Sequence, residues 1–291
     1  MAAGEGIVWL FLITLALLAG LIDSLAGGGG LITVPGFFIL MGPGPEAIGT
    51  NKILAVAASG AAFLAYWKNA QIEKRLIGLA VIATGLGAFS GARAASLLPN
   101  EFFRWLVIAL APAMMWLVLN KDVWQTRSAE SKAPVDPTKN LLGPRKNLGW
   151  PKKTWIGVGV FLAGFYDGLA GPGGGTLMFL ALYFLGRTPL ALAIGTSKLA
   201  NLASALVSLL TYEAQGLVRW EIGGLGALPI GVGAYCGATW ISRLGRRADP
   251  DASLRLQKLA RQALFVIAGL MLLRLAFDLG EQALPIFKDR D

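Results

Sequence analysis

Two pentapeptides, Ile48-Gly49-Thr50-Asn51-Lys52 and Ile194-Gly195-Thr196-Ser197-Lys198, each set a lysine inside an apolar stretch, and each follows a glycine-rich break. The breaks read Asp23-Ser24-Leu25-Ala26-Gly27-Gly28-Gly29-Gly30 and Asp167-Gly168-Leu169-Ala170-Gly171-Pro172-Gly173-Gly174. A charge in an apolar segment costs several kcal/mol unless it faces protein or water, so a lysine set there twice is a candidate functional site. The fold must be made of two like halves.

The chain has more apolar surface than a soluble domain of 291 residues can bury, with 55% hydrophobic and 15% charged residues and a mean hydropathy of +0.61. Apolar segments near 7–22, 31–41, 48–66, 76–98 and 103–119 are followed by a polar stretch. They resume near 154–166, 176–186, 194–212, 222–243 and 260–278. This is the pattern of an all-α polytopic membrane protein. The first run resembles a signal peptide in length, but Glu5 stands where basic residues belong and no cleavage site follows, so it reads as retained. Segments beside each break are shorter than the ~20 residues that cross a bilayer, which predicts half-helices folded into a hairpin.

Residues 120–153 carry Pro134, Pro137, Pro144 and Pro151 without apolar periodicity and read as a linker between a first repeat, 1–119, and a second, 154–291. Beyond the motifs, the halves agree at Tyr66 and Tyr212, Gly78 and Gly224, Gly85 and Gly231, Gly87 and Gly233, Gly91 and Gly237, and Ala92 and Ala238, all at one offset. A hairpin returns to the side it left, so each half makes three further crossings and the second half is inverted. The basic linker, with Lys121, Arg127, Lys132, Lys139, Arg145, Lys146, Lys152 and Lys153, belongs in the cytoplasm. That puts Lys68, Lys74, Arg75, Arg246, Arg247, Arg255 and Lys258 inside as well, and leaves Arg219 alone in the outer loops. Both termini are then extracytoplasmic.

With no histidine and one cysteine, Cys236, the chain lacks most metal ligands and cannot close an internal disulfide, so no metal or cofactor is expected. The net charge of +9 gathers in loops as membrane orientation requires, and nucleic acid is not an expected partner. Inverted repeats with broken helices meeting near the midplane are a plan of secondary transporters. No nucleotide-binding pattern appears, so the expected energy source is an ion or substrate gradient.

Four groups of residues carry the expected site. The glycines of the breaks, Gly27 to Gly30 with Gly171, Gly173 and Gly174, can either offer backbone N–H groups to an anion or simply permit a turn and close packing. Lys52 and Lys198, with Thr50, Asn51, Thr196, Ser197 and Asn201 as neighbouring donors, can cradle a small oxyanion or merely snorkel. Asp23 and Asp167 can cap the breaks, pair with a lysine or carry a proton. Gly87-x-x-x-Gly91, Gly233-x-x-x-Gly237 and the series Ala200, Ser204, Ser208 read as packing surfaces, within the chain or in a homodimer. Arg93, Arg274 and the tryptophans read as interfacial anchors.

On the paired Asp-x-Leu-Ala-Gly-x-Gly-Gly and Ile-Gly-Thr-(Asn/Ser)-Lys motifs, the chain closely resembles the sulfite exporter TauE/SafE family of bacterial inner-membrane permeases. The resemblance implies transport of a small anion, such as sulfite or an organosulfonate like sulfoacetate, outward and coupled to an ion gradient. It carries over onto Asp23, Gly27 to Gly30, Thr50, Asn51 and Lys52, and onto Asp167, Gly171 to Gly174, Thr196, Ser197 and Lys198. Pro172 stands where the first break has Gly28, removing one backbone donor. The expectation is a transporter and not an enzyme. A passive anion channel of the same architecture is the alternative, and an intramembrane enzyme is disfavoured because no nucleophile and base stand at useful spacing.

Overall fold

The computed structural model describes residues 2–26, 28–67, 74–119, 150–186, 188, 190–246 and 250–277. Most of the linker lies outside them. Among the described residues the regular structure is entirely helical: α1 Ala2–Ala26, α2 Gly30–Met41, α3 Pro45–Trp67, α4 Lys74–Ala95 and α5 Asn100–Leu119, then α6 Trp150–Leu169, α7 Gly174–Leu180, α8 Leu190–Glu213, α9 Trp220–Arg246 and α10 Pro250–Phe277. A π-helical turn, Ala181–Leu185, extends α7.

Local signals account for the boundaries. Pro45 opens α3 and Pro250 opens α10, positions where a missing backbone donor costs nothing. Glu46 in the first turn of α3 faces the positive end of its helix dipole. The fourth apolar run stops at Ala95 rather than reaching residue 98, because Pro99 two residues beyond the turn forces the chain out of helix. α1 and α6 are longer than the apolar runs predicted, and the expected half-helices are the partners on the other side of each break, α2 with 12 residues and α7 with 7.

Three segments, Pro45–Ala65, Leu76–Ala95 and Trp220–Trp240, are long and apolar enough to cross a membrane, and Trp9–Ser24, Gly30–Met41, Thr154–Leu169 and Gly174–Leu185 are shorter apolar helices. Large apolar side chains cover the outside, among them Leu64, Ile82, Leu210, Leu228 and Leu270, each more than 60% exposed. A surface that apolar suits lipid and not water.

Packing repeats between the halves. α1 lies against α9, and α6 against α4. A methyl group on Gly20 would overlap Ile230 O and one on Gly233 would overlap Leu17 O; on the other side, Gly164 meets Thr84 O, Gly87 meets Phe161 O and Gly91 meets Phe165 O in the same way. Small residues thus let backbones touch at equivalent places. α3 and α8 cross at the centre. Gly49 near the start of α3 abuts Tyr212 near the end of α8, whereas Gly60 further along α3 faces Leu202, so the two lysine-bearing helices run antiparallel.

A candidate anion site between the two glycine breaks

The breaks meet each other. A methyl group at Gly30 would touch Gly171 O and Pro172 Cα at 3.4 Å, so the two breaks pack in direct contact. Gly28 takes φ +95°, a conformation that proline at the equivalent position cannot adopt, and the second break instead places its left-handed residues at Gly171 and Gly173, φ +91° and +78°. The substitution of Pro172 therefore shifts where that turn bends as well as removing a donor.

Around this junction lies a cavity of about 90 Å³ lined by both halves: Asp23, Gly28 to Gly30, Thr33, Asn51, Lys52 and Ser59 from one, and Asp167, Gly171, Gly173 to Gly175, Thr176, Phe179, Ser197, Lys198 and Asn201 from the other, with Ile230.

Each lysine is paired across the halves. Lys52 Nζ lies 3.0 Å from Asp167 Oδ2, with side chains 1% and 7% exposed, and also donates to the backbone carbonyl of Asp167. Lys198 Nζ lies 3.4 Å from Asp23 Oδ2, with side chains 19% and 18% exposed. Asp167 Oδ2 accepts a further hydrogen bond from Ser204 Oγ at 2.6 Å, and Asp23 Oδ1 accepts one from the Gly29 N–H at 2.9 Å. Asn201 Nδ2 donates to Ser59 Oγ at 2.7 Å, again across the halves. Two charges buried in this way need the extra hydrogen bonds, because pairing alone seldom offsets desolvation.

Of the residues singled out from the sequence, the cavity gathers Asp23, Gly28, Gly29, Gly30, Asn51, Lys52, Asp167, Gly171, Gly173, Gly174, Ser197, Lys198 and Asn201. Gly27 lies outside the described residues. Thr50 and Thr196 are buried but do not line the cavity. The Thr50 hydroxyl accepts from the Arg219 backbone N–H at 2.9 Å, so it fastens the 214–219 turn to α3. The backbone donors are partly committed too: the Gly29 N–H serves Asp23, and the Gly174 N–H reaches Gly171 O at 3.3 Å. Asn51 Oδ1 and Thr196 Oγ1 are buried without a hydrogen-bond partner. An orphaned acceptor on a cavity wall, as at Asn51, is where a donor belongs, either water or a ligand that carries a proton.

Sequence reasoning missed Ser59 and misassigned Ser204. Ser204 was grouped with Ala200 and Ser208 as a packing stripe, yet its hydroxyl holds Asp167. The signal was present, since Lys198, Asn201 and Ser204 recur every three residues and share a helix face. Tyr212, noted only for agreeing with Tyr66, donates its hydroxyl to Gly168 O at 2.8 Å and so ties the end of α8 to the second break.

The sequence profile of the sulfite exporter TauE/SafE family matches residues 12–275. The chain is 28% identical over 273 residues to the probable membrane transporter protein ORF9 of Sinorhizobium sp, covering 92% of each chain. It is 28% identical to the probable membrane transporter protein YfcA of Escherichia coli strain K12, covering 90% of this chain and 87% of that one. It is 26% identical to the probable membrane transporter protein YunE of Bacillus subtilis strain 168, covering 86% and 93%. No solved structure matches it.

Proposed function

Given that the chain belongs to the sulfite exporter TauE/SafE family of membrane transporters, we propose that it is a secondary transporter moving a small oxyanion, sulfite or an organosulfonate, outward across the bacterial inner membrane. The observation that carries this reading is the cavity at the junction of the two breaks, where Lys52 and Lys198 converge from different halves. Lys198 and the polar groups of Asn51, Ser197, Ser59 and Asn201 supply the electrostatics and hydrogen bonds a small oxyanion needs.

Antiparallel α3 and α8 support the reading of two inverted halves, and alternating access follows from one half rocking on the other. With the linker in the cytoplasm, Lys52 lies toward the outer end of α3 and Lys198 toward the inner end of α8. The Arg219 N–H on Thr50 then closes the outer side, beside the buried Lys52–Asp167 pair, while the more exposed Lys198–Asp23 pair faces the cytoplasm.

Replacing both lysines by Met is expected to abolish sulfite flux in proteoliposomes, and unimpaired flux overturns the proposal. Uphill sulfite accumulation on an imposed proton or sodium gradient distinguishes the transporter from a channel, which only dissipates gradients.

A further inference from the structure

The charged groups lining the cavity are Asp23, Lys52, Asp167 and Lys198, and their formal charges sum to zero. An entering anion therefore brings a charge without a counter-ion unless one lysine is first released from its aspartate. The two pairs are not equal candidates. Asp167 is held by Lys52 through both its side chain and its backbone carbonyl and by Ser204 as well, nearly out of reach of water. Among the described residues Asp23 Oδ2 has only Lys198, at 3.4 Å, and both side chains are about a fifth exposed. The difference lies in the sequence as well as in the conformation, because the position equivalent to Ser204 in the first half is Ala58, which has no hydroxyl to give.

Building on the transport reading above, we infer that Asp23 alone is the proton-carrying carboxylate, and that Lys52–Asp167 is a fixed strut that stays paired throughout transport. A proton from water adds to Asp23 Oδ2 and makes it a neutral acid; the Lys198 ammonium, freed from its pair, turns its N–H donors to the anion. With a monoanion bound, the cavity is again neutral. On the far side the anion leaves, Lys198 takes back Asp23, and the proton returns to water. One proton and one monoanion move in the same direction with no net charge crossing the membrane, so outward movement runs on the anion's own gradient.

The test is sulfite flux through the full chain in proteoliposomes, with a lumenal pH dye and a potassium diffusion potential, near a pH where hydrogensulfite dominates. Wild type is expected to move protons with sulfite and to ignore the potential. D23N is expected to carry sulfite without proton movement, with a flat pH profile and a several-fold response to potential, because Lys198 is permanently released. D167N is expected to melt at lower temperature while the protein that remains stays proton-coupled. A58S places at the equivalent position the hydroxyl that Ser204 gives Asp167, and should shift the pH profile of flux. Proton movement retained in D23N, coupling lost in D167N, or an A58S profile identical to wild type each overturns the assignment. If D23N fails to fold, A58S and D167N still decide it. A wild type without sulfite flux overturns the transport reading itself.

Discussion

At Lys52 the ammonium is 1% exposed, and its only described counter-charge is Asp167. Removing one member of such a pair leaves the other charge buried and uncompensated, a loss of about 3–5 kcal/mol. K52M should therefore lower thermal stability in detergent far more than K198M, whose partner Asp23 is reached by water and whose loss should cost about 1 kcal/mol or less. Comparing the two melting temperatures checks this, and equal losses would count against the unequal burial. Both lysines were legible as paired features of the sequence, as was a capping role for Asp23. Their cross-pairing was not, because nothing local in a single sequence reports which of two aspartates meets which of two lysines. Ser204 was hidden for a related reason: a serine spaced for helix packing looks the same whether its hydroxyl is idle or holds a carboxylate.

Among the helices, the pairs α1 with α9 and α4 with α6 depend on glycines whose replacement would drive a side chain into the neighbouring backbone. Overpacking of this kind costs roughly 1–3 kcal/mol. G87A and G233A are expected to destabilise by similar amounts, since they occupy equivalent contacts against Phe161 and Leu17 carbonyls, whereas G78A and G224A, with open space around them, should be neutral. Thermal melts of the four variants test the equivalence; a cost at Gly87 without one at Gly233 would break it. The repeated glycine spacing announced these contacts, and the order of apolar segments matched the helices closely. The lengths of α1 and α6 were misjudged in part because each helix continues past its apolar run into the break, where Ser24 and Asp167 are buried in protein rather than lipid. The position of each left-handed residue in the breaks was likewise beyond the sequence, since a run of glycines permits several turns and tertiary contact selects one.

Across the whole molecule the halves are joined at the proposed outer side by an ion pair between Arg219 and Glu46, both partly exposed, as well as by the Arg219 N–H on Thr50. If the halves rock apart to admit the far side, this contact must open. In a Cys236→Ser background, bridging E46C and R219C with a reducible bifunctional thiol reagent should stop sulfite flux, with flux restored by reductant. Full flux with the crosslink in place would show that this contact does not separate during transport. The exchange of ion pairs between halves has one more consequence, for descent. Lys52 and Asp23 from the first half are each held by a residue of the second, and the reverse is equally true. A half-length ancestor built on the proposed inverted plan would have needed a second copy in the opposite orientation to neutralise its own charges, and severing the present chain within 120–149 should leave two fragments that are stable only when coexpressed.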